Sequence, residues 1–445
     1  MNKFQRTIWR ELVFLGYRLV GLDISGKCSF LRRARNWSPD ERKQWRLARL
    51  NTVIDFAWTH VPFYRQFWSD HNVKRKSLGS LDELLAYPVL TKDVFRSNRD
   101  RLYPDNLSSI PYISKHTGGS TSVPVHYFLD RQQWTFMEAF HLWGWSQAGY
   151  EFGNPVGVIA GGSLVPERGS WQGRIRGLAH RRLCLYGVSM DDRLARQYHQ
   201  VLLRHKVEFL YGYPSILYLF AKSLKHQELT IPSLKAVVTT AEMLLPHYRQ
   251  SLEVWLRCRV FDNLGSNDGG FESYECRMHN GFHYNDLQAV LETLPPEPAQ
   301  SHGKLLITNL WNRSTPFIRY ENGDLVALSD VPCPCGAPFP MISSIQGRTA
   351  DILSFGNGRS LSGPALTLIF GDMQIDGWQI VQTSPSSIEV RICVERDVPR
   401  EYSEHILRVL NFHLNHEIAI DIRRVDRLEV TVGGKHKPIM RLPTP

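Results

Sequence analysis

The spacing of apolar residues divides the chain into three textures. In the first, Leu47, Leu50, Ile54, Ala57, Trp58 and Val61 recur at helical intervals, and Ser38, Pro39 and Glu41 place an N-cap, a first-turn proline and the acid of a capping box ahead of them. Upstream, Ile8, Leu12, Leu15 and Leu19 repeat on one helical face. The second texture starts near Tyr112, where short apolar runs bounded by glycine and polar clusters alternate with helical stretches: "VPVHYFL", "NPVGVIAGGS", "VEFLYGYPSILYLFAKSL", "LKAVVTTAEML", "CRVFDNLGSNDGG" and "GKLLITNLW". Asp130 reads as the cap of a helix carrying Trp134 to Ala148. This alternation predicts an α/β body with mixed β-sheets flanked by helices, whose ligands gather in the loops at the carboxyl ends of the strands. After "IQGRTADIL" come a few strands and one helix around "EYSEHILRVLNFHL", the pattern of a small α+β domain. The expected division is a large N-terminal domain, 1–347, with a basic helical segment over about residues 1–65, and a small C-terminal domain, 348–445.

Charge changes this picture only modestly. With Lys+Arg 53 against Asp+Glu 43 the chain carries +10, which suits an anionic ligand or surface without naming one. Arg32, Arg33, Arg35, Arg42, Lys43, Arg46 and Arg49 cluster near the N-terminus and fall largely off the apolar stripe, the arrangement of a solvated helix face. A weak membrane-surface contact through this basic N-terminus, and a homodimer, are compatible with the sequence; nucleic-acid binding would rest on net charge alone and is not expected. No long uncharged apolar run or signal-peptide core occurs, and seven scattered cysteines form no disulfide framework, so the sequence predicts a cytoplasmic protein.

Two common nucleotide motifs are missing: there is no G-x-x-x-x-G-K-[ST] and no G-x-G-x-x-G after a strand. The stretch Thr117-Gly118-Gly119-Ser120-Thr121-Ser122-Val123-Pro124 nevertheless combines glycines, which let backbone N–H groups turn toward an anion, with hydroxyl donors and no acid. Five further loops follow in order: Thr240-Ala241-Glu242, Leu264-Gly265-Ser266-Asn267-Asp268, Arg319-Tyr320-Glu321-Asn322-Gly323-Asp324, Gly347-Arg348-Thr349-Ala350-Asp351 and Gly433-Gly434-Lys435. In order and content these six resemble the core motifs of adenylate-forming enzymes, nearest to the phenylacetate–CoA ligase-like family and its capsular polysaccharide biosynthesis branch. "VPFYRQFW", "YPVLTKDVFRSN" and "LYGYPSILYLFA" are further marks of that branch, and the resemblance spans nearly the whole chain.

The resemblance implies an AMP-forming acid–thiol ligase that activates a small-molecule carboxylate, aryl or short acyl, with ATP and Mg2+ and passes the acyl group to CoA. It implies that Thr117, Gly118, Gly119, Ser120 and Thr121 grip the β and γ phosphates. Ser122 and Val123 stand where the family commonly has Gly and then Lys or Glu, so a charge is lost there. Thr240, Ala241 and Glu242 would line the adenine and acyl pockets, Gly265 and Ser266 would bind AMP, and Asp268, replacing the family's glutamate, would hold magnesium. Asp324 would accept from the ribose hydroxyls, although "NGD" by itself also reads as a hairpin turn. Arg348 would meet the α-phosphate or ribose, Asp351 would be the hinge of a mobile small domain, and Lys435 would be the lysine that domain inserts, with Lys437 as nearby competitor. Tyr211, Tyr213 and the Gly161-Gly162 loop are the expected acyl pocket, whereas Trp143, Trp145 and Tyr150 read more readily as core.

A separate set, Cys276, His283, Cys333 and Cys335, offers three thiolates and an imidazole, the tetrahedral donor set of structural zinc, with His279 as an alternative fourth ligand; unrelated reduced cysteines are the other reading. His116, beside the phosphate-type loop, reads as solvated or packed. Two further functions stay open: an adenylating enzyme that uses a non-CoA acceptor in polysaccharide biosynthesis, and a non-catalytic zinc-stapled homologue.

Overall fold

The structure is a computed structural model and describes residues 2–116, 126–161, 164–165, 171–187, 190–266, 268–294, 302–348, 353–356, 360–361, 369–370, 373–414, 416–430 and 434–441. The chain is mixed α/β, as its alternating pattern requires, and divides into two compact units built from interleaved segments. The first takes Met1–Thr117, Val123–Phe152 and Asn263–Ile345; the second takes Gly118–Ser122, Gly153–Asp262 and Gln346–Pro445.

The first unit opens with helices α1 (Lys3–Leu19), α2 (Ile24–Ala34), α3 (Pro39–His60), α4 (Pro62–Asp70) and α5 (Lys92–Ser97). The capping box expected at α3 is formed on both sides: the Ser38 hydroxyl accepts from Glu41 N at 3.2 Å, and Glu41 accepts from Ser38 N at 2.7 Å. A hairpin of β1 (Tyr112–His116) and β2 (His126–Asp130) then leads into α6 (Arg131–Gln147), with Asp130 capping Gln132 N. Through the second unit run β3 (Val156–Ala160), α7 (Trp171–Ala179), β4 (Arg182–Tyr186), α8 (Asp192–Arg204), β5 (Phe209–Gly212), α9 (Pro214–His226), β6 (Ala236–Thr240) and α10 (Pro246–Leu256). Its strands lie parallel in the order β6-β5-β3-β4 and are almost wholly apolar, the composition of a sheet covered on both faces.

Strand β7 (Arg259–Ser266) carries the chain back into the first unit. There β8 (Phe271–Glu275), β9 (Phe282–Tyr284), β10 (Ala289–Thr293), β11 (Gly303–Asn309), β12 (Tyr320–Ser329) and β13 (Met341–Arg348) take the order β10-β11-β12-β13-β9-β8-β7 around a core of Phe271, Leu291, Ile307, Val326 and Ile342. The second unit closes with the short pair β14 (Leu353–Ser354) and β15 (Ser360–Leu361), then β16 (Gly377–Ser384), β17 (Ser387–Cys393), α11 (Arg400–Leu414), β18 (Ala419–Val425) and β19 (Ile439–Met440), the last four strands in the order β18-β17-β16-β19. Trp378, Ile380, Val390, Ile406 and Leu410 form the core of this sheet and helix, which Tyr218 of α9 and Tyr248 of α10 join.

The basic stretch of α3 departs from the expected solvated face. Arg42 is buried and clamps Asp286 through two nitrogens, with contacts of 2.7 Å from Nε and 2.5 Å from Nη2; Arg46 lies 3.8 Å from the same carboxylate, and Arg49 Nε donates to Leu310 O at 2.8 Å. Helical periodicity scored these residues as polar, but a bidentate guanidinium meets a buried carboxylate edge to edge, so the charge can be taken inside with its partner. Arg42→Ala should destabilise the protein by about 3–5 kcal/mol in denaturant titration, because it strands the Asp286 charge in the interior. Arg42→Met combined with Asp286→Leu should lose much less.

Candidate functional site

Within the second unit the polar site forms where β5 and β6 end. Ala241, directly after β6, has φ of 71°, a left-handed backbone that a non-glycine residue rarely adopts. The reversal turns the half-buried Glu242 back onto the start of α9. That helix begins with Tyr213 as N-cap and Pro214 in its first turn and has no side-chain cap of its own, so its first N–H groups need an acceptor from elsewhere. Glu242 Oε2 supplies it, accepting from Ser215 N at 3.2 Å and from Ser215 Oγ at 2.7 Å. Its other oxygen, Oε1, accepts from His436 N at 2.6 Å.

His436 is itself anchored, its Nε2 lying 2.7 Å from Trp378 O on β16, and its backbone bridges to Val430. The residue before it, Lys435, is half-buried with Nζ 5.9 Å from the centre of the buried Tyr213 ring. Lys437, the competitor, is held through its carbonyl, which accepts from Gln379 Nε2 at 2.8 Å. Thr240, Glu242, Tyr213 and Lys435 are thus brought together, with Tyr211 on the adjoining strand β5.

A second cluster lies in the first unit. Asp268 follows β7 in a turn whose Gly269 and Gly270 have φ of 98° and 67°; a Cβ on Gly270 would stand 2.7 Å from Asn309 Nδ2, which donates to the carbonyls of both glycines. The carboxylate accepts from Ser266 Oγ at 3.0 Å and from Tyr320 Oη at 3.0 Å. Burial and the Asp268 charge hold the Tyr320 and Tyr127 hydroxyls well above their ordinary pKa, and Tyr127 Oη, fully enclosed, has no hydrogen-bond partner among the described residues. "NGD" is not a hairpin turn: it lies inside β12, where the register with β11 shifts and Gly323 has φ of 85°, the geometry of a glycine bulge. The bulge aims Asp324 inward, where Asn322 Nδ2 donates to it at 2.6 Å.

Several sequence-predicted residues, namely Thr117, Gly118, Gly119, Ser120, Thr121, Gly162, Asn267, Asp351 and Gly433, lie outside the described residues. Arg348 is placed at the end of β13 by its backbone only. Tyr320 and Ser215 lie in stretches the sequence singles out, but their contacts with Asp268 and Glu242, and the parts played by Tyr127 and His436, emerge only from the structure. Nothing local separates Tyr127 from any strand aromatic, and His436 acts through its backbone, which residue type does not encode.

The third cluster is a four-residue donor set. Cys276, His283, Cys333 and Cys335 place their ligating atoms within 4.8 Å of one another. Cys276 and Cys333 sulfurs are 3.7 Å apart, Cys335 Sγ is 3.3 Å from His283 Nε2, and backbone N–H groups of Met278, Cys335 and Ala337 point at the sulfurs. His283 Nδ1 is 2.9 Å from Phe339 O, which fixes the tautomer that leaves Nε2 as the ligating atom. The alternative ligand His279 turns instead to Glu275, its Nδ1 3.2 Å from Oε2. Burial, then the neighbouring sulfurs, pushes the Cys276 thiol up to about 12, and burial holds His283 below its ordinary value. Three sulfurs and a neutral imidazole fit a tetrahedral soft-to-borderline cation, which would reverse the cost of the thiolates.

Comparison with known proteins places these observations. Residues 356–441 match the family described as CapK C-terminal domain. Protein CapK of Staphylococcus aureus is 22% identical over 405 residues, covering 87% of each chain, and the phenylacetate-coenzyme A ligase of Pseudomonas putida is 24% identical over 338 residues, covering 71% of this chain and 72% of that one. A crystal structure of 2-hydroxyisobutyryl-CoA ligase in the postadenylation state with 2-HIB-AMP superposes with a TM-score of 0.73 at 21% identity, over 92% of this chain and 91% of that one. In sequence the chain is similar to CapK and to phenylacetate-coenzyme A ligases, and its fold is that of the adenylate-forming enzymes.

Cys335→Ser should lower stability by about 3 kcal/mol or more, and a strong chelator should reproduce the loss in the unaltered protein while leaving the variant unmoved. Since the donors ligate only when deprotonated, lowering the pH from about 7 to about 5 should weaken metal retention, read as metal content after dialysis.

Proposed function

We propose that this protein activates a carboxylic acid with ATP as an acyl-adenylate and transfers the acyl group to the thiol of coenzyme A. The observation that carries the reading is the joint placement of Lys435 beside Tyr213 and of its neighbour His436 on Glu242, which sets an ammonium where two motifs of the resemblance meet. Similarity to a phenylacetate-coenzyme A ligase and, in fold, to a 2-hydroxyisobutyryl-CoA ligase supports it.

In the first half-reaction a carboxylate oxygen bonds to the α-phosphorus of ATP and the α–β bridging bond breaks, releasing pyrophosphate. Two anions must meet, so positive charge at the contact is the main requirement. Lys435 supplies it against the carboxylate and α-phosphate, and Arg348 adds to it at the phosphate or ribose. Glu242 orients Lys435 by holding the next residue's backbone and touches no substrate charge itself. Asp324, aimed inward by its bulge, accepts from the ribose hydroxyls. Asp268 offers the hard oxygen that magnesium requires, kept in place by Ser266 and Tyr320. The loop at Thr117–Thr121 binds the leaving phosphates, and Tyr211 with Tyr213 lines the acyl pocket. In the second half-reaction the thiolate sulfur bonds to the acyl carbon and the C–O bond to AMP breaks; residues 348–445 turn about Asp351 to exchange the face they present. The Cys276–His283–Cys333–Cys335 set would hold a zinc ion in a structural role, its four donors matching the tetrahedral preference of that metal. A second reading, an acyl acceptor other than CoA, differs only in the second step; it is kept open because residues 356–441 match the CapK C-terminal domain and the chain is similar to protein CapK, whose name specifies no CoA ligase activity.

Lys435→Ala should slow adenylation by about 100-fold or more while sparing thioester formation from supplied acyl-adenylate. Glu242→Ala, acting through position alone, should cost about tenfold in the same half-reaction. Equal losses in both half-reactions, measured in single turnover, would remove Lys435 from this role.

A further inference from the structure

Helix α1 has two apolar faces where an ordinary surface helix has one. The first holds it to its own unit: Phe14 is buried and meets Phe152 edge-on with ring centroids 5.1 Å apart, Tyr17 packs on Trp134 at 6.0 Å, and Arg6 reaches Glu151 at 3.0 Å. The second comprises Phe4, Ile8, Leu12, Leu15 and Leu19, which are 46–79% exposed. At helical geometry these five occupy about 80° of arc, turned away from Phe14 and Tyr17. Single exposed hydrophobics are normal on a protein surface, but a continuous stripe along a helix of 17 residues is a binding face.

Charge selects its occupant. Residues 2–35 hold eight basic side chains against two acidic ones, a net +6 of the chain's +10. Docking a second copy on this face would bring two such surfaces together, whereas an anionic lipid surface is attracted by the same excess. No helix among the described residues is long and apolar enough to cross a membrane, so the contact is interfacial. Arg18, its side chain 60% exposed and in a 3.4 Å surface ion pair with Asp23, lies at the end of the stripe, and Arg32 and Arg33 are exposed on α2, so their charges can exchange these weak surface contacts for lipid phosphates.

We propose that α1 is an interfacial anchor that lies in the plane of an anionic membrane, its Phe4–Leu19 stripe inserted among the acyl chains and the arginines of α1 and α2 at the headgroups. The anchor is independent of the adenylation chemistry, so binding alone tests it. The full-length protein should float with phosphatidylglycerol vesicles and not with phosphatidylcholine vesicles, and high salt should weaken the association by screening. Leu12→Glu with Leu15→Glu, both at exposed positions, should reduce flotation by about tenfold or more with an unchanged melting temperature, and Arg32→Ala with Arg33→Ala should reduce it less while flattening its salt dependence. Absence of flotation, or flotation that the leucine double variant retains, would overturn the proposal. So would a dimer in light scattering that the same variant dissolves without any lipid binding, since the stripe would then belong to a second copy.

Discussion

The contact on which the second unit's site depends is the carboxylate of Glu242. One of its oxygens satisfies the uncapped start of α9 and the other holds the backbone of His436, so three pieces of chain far apart in sequence share one anion. The geometry follows from two local decisions. Ala241 takes a left-handed backbone that reverses the chain immediately after β6, and Pro214 starts α9 without a side-chain cap, leaving N–H groups that need an acceptor. Once Glu242 answers that need, Lys435 has its position relative to Tyr213. Under the proposed chemistry, the lysine must arrive for one half-reaction and leave for the other, so the Glu242 hydrogen bond to His436 N and the packing of Tyr218 and Tyr248 against the C-terminal core must break and re-form between them.

The first unit uses a different kind of constraint. Arg42 on Asp286 and the Cys276–His283–Cys333–Cys335 set tie the N-terminal helices and the strand connections to the sheet through buried charge and metal-type donors, which are costly to open. The turn at Asp268 is fixed by glycines that no other residue could replace without meeting Asn309 or Ile307. Its carboxylate sits beside two enclosed phenols, Tyr320, which donates to it, and Tyr127, whose hydroxyl has no hydrogen-bond partner among the described residues.

Much of this was legible in the sequence, and the exceptions have physical causes. The capping box at Ser38, the cap at Asp130 and the apolar strands are local signals, each readable from a few neighbouring residues, whereas the four metal-type donors come from two separate stretches and were legible because cysteine and histidine are distinctive residue types. Arg42 was not legible as a buried residue, because its partner lies 244 positions away and periodicity sees only its own helix. "NGD" carries the residue types of both a turn and a bulge, and only strand pairing on either side decides between them. The partners of Glu242 were hidden for a similar reason: two of its three contacts are to backbone N–H groups, which every residue except proline offers.

The central claim is that these loops still perform adenylation despite Ser122 and Val123 in the phosphate loop and Asp268 in place of glutamate. It is tested most directly by carboxylate-dependent exchange of labelled pyrophosphate into ATP, with magnesium and without CoA, over aryl, short aliphatic and amino acids. The account predicts exchange with a subset of these acids. Silence across the panel from folded, metal-replete protein that also fails to bind ATP would contradict it.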